Sequence, residues 1–377
     1  MATTTPSQTT SQAPCSLPKL WKLLKFPKPH TYCRTQLPST SPTRLTPTAS
    51  EEKTILYLAY GSNLSAETFK GNRGIRPLSA VNVHVPSLTL TFDLAGIPYI
   101  EPCFANTQYR TPPSSKPAPT SIRSSDYHKD RWTKGLIGVV YEVTPEDYRT
   151  IIATEGGGAS YHDVIVPCYA LPKGTKLVDS TPSGAPFMAH TLLSPRDSDS
   201  TSYQDQNTNN SQAGVVGGGG GEVSKKSGVT RPDPSYAQPS ARYLKLITDG
   251  GEEHDLPAEY MAYLYNIRPY TITTRKQKVG QALFLALWMP IVMAVFGVSK
   301  LLADGDGRVP AWWVAIMTLV FKCVWGSYDA VFKGVFGDGE RTVYEDGEEG
   351  DEKCVGMKWG CGRGRVRLET DEKRVVI

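Results

Sequence analysis

The feature that most constrains the fold of this chain is an apolar segment that runs directly into a turn of small residues. Residues 54–60 read Thr-Ile-Leu-Tyr-Leu-Ala-Tyr, and such a run of β-branched, aromatic and aliphatic side chains predicts a buried strand. Gly61, Ser62 and Asn63 end the strand, because glycine frees the backbone to turn and the two polar side chains can cap exposed amides. Since successive backbone N–H groups can converge at such a turn, the segment predicts a site for a carboxylate or a phosphate.

A second stretch combines a helix start with a carboxylate near the helix end. Residues 144–147 read Thr-Pro-Glu-Asp, which supplies a hydroxyl cap, a proline in the first turn and acidic groups near the positive end of the helix dipole. We predict a helix that ends at Gly156, with Glu155 in its last turn. Tyr161 follows and opens a segment in which apolar and polar residues alternate, as in a strand.

Residues of both stretches match one known pattern: the loop of Tyr60, Gly61, Ser62, Asn63 and Leu64, the pair Glu155 and Gly156 after a short helix, and Tyr161. In this pattern the chain resembles the γ-glutamylcyclotransferase family. The resemblance covers residues 54 to about 193 and, through a helical stretch at residues 242–267, the form of the domain found in fungal proteins. It departs in one place, because residues 190–193 lack a further aromatic side chain that the family can carry there.

The resemblance implies an internal reaction, in which the free α-amine of a γ-glutamyl group attacks the γ-carbonyl carbon of the same group. The products are 5-oxoproline and the amine or amino acid that was attached. Because nucleophile and electrophile lie in one molecule, the reaction needs geometry and proton transfer rather than a metal or another cofactor. The expected partner is therefore a small γ-glutamyl substrate, such as glutathione or a γ-glutamyl amino acid, and no cofactor is expected.

The resemblance also implies a role for each matched residue. Glu155 would take a proton from the substrate's ammonium group and deliver one to the leaving amine. The turn at residues 61–64 would bind the substrate's carboxylate or polarise its amide oxygen through backbone N–H groups. Tyr60 and Tyr161 would form walls and hydroxyl contacts around the γ-glutamyl group.

A rival interpretation belongs to another functional class. A membrane-anchored binding module could keep the fold and the anion-binding turn without turning over a substrate. Glu155 separates the two interpretations, because an enzyme requires this carboxylate to be buried and to face the turn, whereas a binding module does not.

The remaining periodic segments predict an α+β domain. The predicted strands lie within residues 81–94 (two strands, broken at Pro86 and Ser87), 136–143, 161–171 and 184–193, and the predicted helices lie at residues 242–247 and 256–264. Together with the family resemblance, these elements imply a small mixed β-barrel flanked by helices.

Low-complexity stretches divide the chain. Only 39% of the 377 residues are hydrophobic, which is low for one compact globule, and many of the 34 glycines and 29 prolines gather in a few stretches. We predict a disordered tail at residues 1–50, a γ-glutamylcyclotransferase-like domain at residues 51–275 and a disordered insertion within it at residues 196–239. A proline- and serine-rich stretch at residues 112–125 is predicted to be an exposed loop.

The first fifty residues allow two interpretations. They contain six basic residues and no acidic one, among many serines, threonines and prolines. Such a segment forms a disordered tail when it cannot bury enough apolar surface to order itself. The same composition is typical of mitochondrial transit peptides, so a targeting role stays open.

Charge and cysteine content limit the partners and ligands of the chain. The net charge is only +4 and basic residues do not interleave with aromatic ones, so we predict no binding to nucleic acid. The seven cysteines are odd in number and scattered, which favours a reducing compartment over a disulfide framework. No cysteines and histidines recur at metal-ligand spacing, so no metal site is predicted.

Two apolar stretches near the C-terminus are long enough to cross a membrane. Residues 279–298 are free of charge, and as a helix they span about 30 Å, the thickness of a hydrocarbon core. Residues 309–328 form a weaker span with one charge, Lys322, and with tryptophans near its ends. We predict that residues 279–336 form a transmembrane helical hairpin; the alternative is a helical pair buried against the domain.

The charges that flank these spans predict an orientation. Arg275, Lys276 and Lys278 immediately precede the first span, and basic residues favour the cytosolic side of a membrane. We therefore predict that the catalytic domain faces the cytosol. The tail at residues 337–377, first acidic and then basic, is predicted to be a solvated segment.

Overall fold

The structure, a computed structural model, describes residues 37–46, 53–110, 132–155, 161–194, 229, 231–233, 235–304 and 308–343. The strands in this part are β1 Ile55–Ala59, β2 Ser79–Val85, β3 Leu88–Ile97, β4 Glu101–Tyr109, β5 Leu136–Val143, β6 His162–Ala170 and β7 Phe187–Leu193. Five of them form a closed barrel in the order β1-β5-β2-β6-β7, and β3 and β4 form a separate two-stranded sheet. The predicted β-barrel is confirmed.

Strand pairing in the barrel explains the patterns in the sequence. β5 pairs antiparallel with β1 and β2, and β6 pairs antiparallel with β2 and β7. A parallel contact between β1 and β7, with Tyr57 opposite His190, closes the barrel. β1 and β5 are buried over almost their whole length, so they read as continuous apolar runs, whereas one face of β6 is more exposed and its sequence alternates.

Both strands predicted within residues 81–94 form, but their partners differ from each other. They are β2 and β3, and the chain breaks between them at Pro86 and Ser87 as predicted. β2 belongs to the barrel, whereas β3 pairs with β4, to which residues 98–100 connect it directly. Such a short connection favours antiparallel neighbours, and the alternation within each strand carries no information on this choice.

The long helices of the described residues are α1 Pro145–Thr154, α2 Ala241–Glu253, α3 Ala258–Tyr265, α4 Arg275–Leu302 and α5 Ala311–Ser327. α1 starts where the sequence predicts, because the hydroxyl of Thr144 accepts a hydrogen bond from the N–H of Asp147. It ends earlier than predicted, at Thr154, since the backbone of Glu155 leaves the helical region at ψ 41° and Glu155 caps the helix. Gly156 lies outside the described residues.

α4 and α5 present exposed apolar surface. α5 continues through a π-helical turn, Tyr328–Phe332, and a final turn, Lys333–Phe336. Both helices are long and apolar enough to cross a membrane. In the most apolar 18-residue segment of each, only 17% of the first and 22% of the second are buried inside the protein. This exposure does not fit the alternative of a helical pair buried against the domain.

At their base, α4 and α5 meet the turn between β3 and β4 in a small second core. Tyr99, Phe284, Trp325 and Tyr328 are its largest buried side chains. The Tyr99 hydroxyl donates a hydrogen bond to the carbonyl of Phe332 at 3.0 Å, and the indole N–H of Trp325 donates to the carbonyl of Gly96 at 3.1 Å. The β3–β4 sheet therefore joins the helical pair to the rest of the domain.

Short parts of the segments predicted to be disordered lie among the described residues and pack on the domain. Thr40 is buried, and its hydroxyl lies 2.9 Å from the hydroxyl of Ser79 in β2. Arg231 is also buried and forms ion pairs with Asp329 and Glu340. Most of the first fifty residues, most of the predicted insertion, the loop at residues 112–125 and the chain beyond residue 343 lie outside the described residues.

Candidate active site

A small, open pocket lies where the turn after β1 meets the end of α1 and the start of α2. The residues that line the pocket are Tyr57, Tyr60, Gly61, Ser62, Asn63, Ala105, Glu155, Tyr161, Leu192 and Tyr243.

The pocket brings together six of the seven residues that the sequence predicts for the site: Tyr60, Gly61, Ser62, Asn63, Glu155 and Tyr161. The seventh, Leu64, is not among the lining residues and is fully buried in the main core. Its side chain therefore fixes the turn from beneath rather than facing the pocket.

The turn leaves two backbone donors unused. The N–H of Leu64 donates to the carbonyl of Gly61 at 3.0 Å, and the N–H of Ser65 donates to the carbonyl of Ser62 at 3.1 Å. Among the described residues, no acceptor hydrogen bonds the backbone N–H of Gly61 or of Asn63. A substrate oxygen can therefore take these donors.

Gly61 permits the close approach that shapes one wall. A Cβ at this position would lie 3.3 Å from the Cβ of Ala105 and 3.3 Å from the hydroxyl oxygen of Tyr243. That oxygen accepts a hydrogen bond from the N–H of Ala105 at 3.1 Å and is hydrogen bonded by Ser62 as well. β4 and α2 are thus held directly against the turn.

Glu155 is held by one of its two carboxylate oxygens. Oε1 accepts hydrogen bonds from Asn63 Nδ2 at 2.9 Å and from Arg73 Nη2 at 2.6 Å. No described residue donates a hydrogen bond to Oε2. The side chain is 20% exposed, so Glu155 is largely buried and in contact with the turn through Asn63.

Asn63 connects three parts of the site. Its Nδ2 donates both to Glu155 and to the hydroxyl oxygen of Tyr57, the latter at 2.9 Å. Its Oδ1 is buried and hydrogen bonds no described residue. The hydroxyl of Tyr60 donates to the carbonyl of Leu192 at 2.6 Å, which fixes the ring of Tyr60 against β7.

Four tyrosines surround Glu155, and all are held in the neutral form. Burial raises the pKa of Tyr57, Tyr60, Tyr161 and Tyr243 above its ordinary value, and the negative charge of Glu155 adds to the shift in each case. Their phenols therefore act as hydrogen-bonding groups rather than as anions at physiological pH.

The described residues contain no group of three or more histidine, cysteine, aspartate or glutamate side chains that could hold a metal ion. His190 instead lies 3.0 Å from Asp163 and edge-on to the ring of Tyr148. The chemistry available in the pocket is proton transfer at a carboxylate next to backbone and phenol hydrogen-bond donors.

Sequence reasoning missed four pocket residues and one residue behind the pocket. Tyr57 lies within β1, where the sequence reads only as a buried strand, and Ala105 carries no local signal. Leu192 lies on the strand where the family can carry a further aromatic residue. Because this chain has a leucine there, the pocket wall formed by β7 is aliphatic. Tyr243 supplies an aromatic ring from α2 instead, and Arg73 reaches Glu155 from the segment after the turn. Only the folded chain brings these positions together.

The chain is similar to curated fungal proteins over most of its length. It is 31% identical to the Gamma-glutamyl cyclotransferase gliK of Aspergillus fumigatus, over 78% of this chain and 92% of that protein. It is 28% identical to the Gamma-glutamyl cyclotransferase aclK of Aspergillus oryzae, over 77% of this chain and 91% of that protein. A solved structure of a protein named Gamma-glutamyl cyclotransferase aligns with 59% of this chain and 92% of its own chain, at 17% identity. Its TM-score of 0.35 is too low to add to the assignment.

The C-terminal helices have a counterpart of their own. Residues 274–335 match the family described as the AclK C-terminal domain, and this match includes both α4 and α5. Because the chain is 31% identical to one relative over 92% of that relative's length, it belongs to the γ-glutamylcyclotransferase family.

Proposed function

We propose that the chain catalyses the internal cyclisation of a γ-glutamyl compound at the pocket that contains Glu155. In this reaction the α-amine nitrogen forms a bond to the γ-carbonyl carbon, and the bond from that carbon to the leaving amine breaks. The protons lost by the attacking nitrogen are gained by the departing nitrogen. The products are 5-oxoproline and the free amine, and no water is consumed.

The observation that carries the proposal is the placement of Glu155. Its Oε1 is held by Asn63 and Arg73, while Oε2 accepts no hydrogen bond from the described residues. The same pocket offers the unused backbone N–H groups of Gly61 and Asn63. A carboxylate that can move protons therefore lies beside donors that can bind an oxyanion, which is the combination that internal cyclisation requires.

The other site residues bind and orient the substrate. The turn donors either bind the substrate's α-carboxylate or stabilise the charge that develops on the γ-carbonyl oxygen. The hydroxyl of Tyr60 is already engaged by Leu192, so Tyr60 contributes its ring as a wall. The hydroxyl of Tyr161 hydrogen bonds no described residue and is available to the γ-glutamyl group.

The placement of Glu155 also weighs against the rival interpretation of a non-catalytic binding module. A binding module does not need a glutamate that is largely buried and tied to the anion-binding turn. The relatives in fungi carry the name γ-glutamyl cyclotransferase, which supports the same conclusion.

The substrate class follows from the reaction. Glutathione, γ-glutamyl amino acids, γ-glutamyl amines and S-conjugates of glutathione all present a free α-amine and a γ-amide carbonyl. They differ only in the leaving amine, which the open side of the pocket must accommodate.

The proposal is tested by measuring 5-oxoproline release from these four classes of compound by the full chain in detergent. Glu155→Gln keeps the shape of the side chain but removes the proton acceptor, so we expect a loss of about 100- to 10,000-fold in kcat. Glu146→Gln is the matched control, because Glu146 is an exposed glutamate in the first turn of α1, and it should retain full activity.

Two results would overturn the assignment. One is the absence of 5-oxoproline from every γ-glutamyl compound with a folded protein, which would favour the binding module. The other is full activity of Glu155→Gln, which would remove Glu155 from the reaction.

The proposed function includes a membrane location. α4 and α5 cross a membrane as a hairpin, and the domain at residues 51–275 faces the cytosol. The exposed apolar surface of both helices supports the first part, and the exposed Arg275, Lys276 and Lys278 in the first turn of α4 support the second.

A further inference from the structure

Arg73 is placed by an unusual local structure that follows the turn at residues 61–64. Residues Glu67–Asn72 form a π-helical turn, a geometry that occurs mostly as short bulges and often near functional sites. The N–H of Arg73 closes this turn by donating to the carbonyl of Thr68 at 3.0 Å. The side chain of Arg73 then reaches Glu155 and is only 12% exposed.

The guanidinium group of Arg73 holds the end of α1. Its Nη2 donates to Glu155 Oε1 at 2.6 Å, and its Nη1 donates to the hydroxyl oxygen of Thr154. That hydroxyl is itself fixed, because it donates to the carbonyl of Thr150 at 2.7 Å. Both arms of one planar group therefore contact neighbouring residues of the same helix end.

This arrangement fixes which oxygen of Glu155 can react. Glu155 caps α1, and although its N–H still donates to the carbonyl of Ile151 at 3.0 Å, a free glutamate side chain samples many rotamers. Arg73 and Asn63 together occupy Oε1, which leaves Oε2 without a hydrogen bond from the described residues. Arg73 is not among the residues that line the pocket, so it acts on Glu155 and not on the substrate.

We propose that Arg73 is a positioning residue for the reaction: it clamps Oε1 of Glu155 so that Oε2 meets the substrate amine. This inference rests on the proposed function and extends it to a residue outside the family pattern. Arginine suits the role better than lysine, because only a planar fork can reach Thr154 and Glu155 at once, whereas an ammonium is a single point charge.

The test uses the full chain in detergent and compares Arg73→Ala, Arg73→Lys and the control Arg76→Ala. Arg76 lies three residues further along and its side chain is exposed. Loss of the clamp should lower kcat by about 100-fold, the effect of misplacing a reacting group by roughly 1 Å, with KM unchanged. Arg73→Lys should recover only part of this loss, and Arg76→Ala should match the parent chain.

Chemical rescue separates positioning from a merely structural role. Guanidinium ions, added below the concentration that unfolds the chain, should restore kcat of Arg73→Ala without raising its melting temperature. They should not increase the activity of the parent chain or of Arg76→Ala. In the Glu155→Gln background, Arg73→Ala should cause no further loss, because the group that it positions is gone.

The outcomes separate the role of Arg73 from the reaction itself. An active parent chain with full activity in Arg73→Ala, or a loss that guanidinium does not rescue, would overturn the positioning role and leave the cyclisation intact. A parent chain that releases no 5-oxoproline would overturn both.

Discussion

Gly250 illustrates how a single residue on a helix lets that helix approach the turn after β1 closely. A Cβ at this position of α2 would lie 2.5 Å from the backbone nitrogen of Ser65 and 2.6 Å from the Cβ of Leu64. The carboxylate of Glu253, one turn further on, accepts a hydrogen bond from the N–H of Ala66 at 2.8 Å. The absence of a side chain at Gly250 therefore lets the helix backbone press directly on the turn that carries the free donors.

We predict that Gly250→Ala destabilises the chain and weakens substrate binding. Helix propensity alone would favour alanine by about 1 kcal/mol. The added methyl group has no room, however, and overpacking of this kind costs about 1–3 kcal/mol and moves the backbone. A lower melting temperature and a higher KM for the γ-glutamyl substrate are expected.

The matched control is Gly297→Ala, a helical glycine in α4 whose added Cβ would meet no atom within 4 Å. It should leave both the melting temperature and KM near those of the parent chain. An unchanged KM in Gly250→Ala would show that α2 does not set the geometry of the turn.

At the residue scale, the sequence identifies only those site residues that belong to local patterns. Glu155 follows a capped helix, and Gly61 to Asn63 follow an apolar strand, and the resemblance to the γ-glutamylcyclotransferase family marks both as candidates. Arg73 has no such context, since the role proposed for it rests on an ion pair across 82 positions of the chain. A contact of this kind is created by tertiary packing and leaves no periodic signal.

At the scale of elements, α4 and α5 form an antiparallel pair, and the start of α4 and the end of α5 are both fixed to the same domain. The indole N–H of Trp288 donates to the hydroxyl of Ser327 at 2.9 Å, and that of Trp313 donates to the hydroxyl of Ser299 at 2.7 Å. Near the start of α4, Gln277 donates through Nε2 to the carbonyl of Asp338 at 2.8 Å, beyond the end of α5. The connection between the helices therefore lies at the end remote from the domain.

If the pair crosses a membrane, the domain and the connection must lie on opposite sides. We predict that a membrane-impermeant maleimide added to sealed microsomes, with the cytosolic face outward, labels Lys173→Cys but not Asp304→Cys. Both positions are exposed, the first in the barrel domain and the second just after α4. After detergent permeabilisation both should be labelled, and the label is read at each site by mass spectrometry.

Equal labelling of the two cysteines in sealed microsomes would contradict a membrane-crossing hairpin. Labelling of Asp304→Cys alone would show that the pair crosses the membrane but with the domain on the side opposite to the cytosol.

At the scale of the whole molecule, the sequence predicts the elements better than their arrangement. The barrel strands and the capped helix α1 lie close to their predicted positions, because burial patterns and capping residues are local. Sequence periodicity does not show that β3 leaves the barrel to pair with β4, nor that Arg231 packs against the base of α5. Both depend on surfaces that distant segments build together.

The same holds for the pocket, whose walls come from β1, β4, β7, the end of α1 and α2. Tyr60 and Tyr243 lie close together in the fold although more than half of the described domain separates them along the chain. Family resemblance supplies the expected reaction, and the structure adds which groups hold Glu155, the carboxylate proposed for that reaction.

Internal cyclisation in this pocket is best tested by analysing the products that the full chain forms in water enriched in heavy oxygen. With a γ-glutamyl compound that the chain turns over, we expect unlabelled 5-oxoproline and an equal amount of released amine, because no water enters the reaction. Glutamate that carries heavy oxygen in its γ-carboxylate would rule out internal cyclisation, because it would show that water, and not the substrate's own amine, attacks the γ-carbonyl carbon.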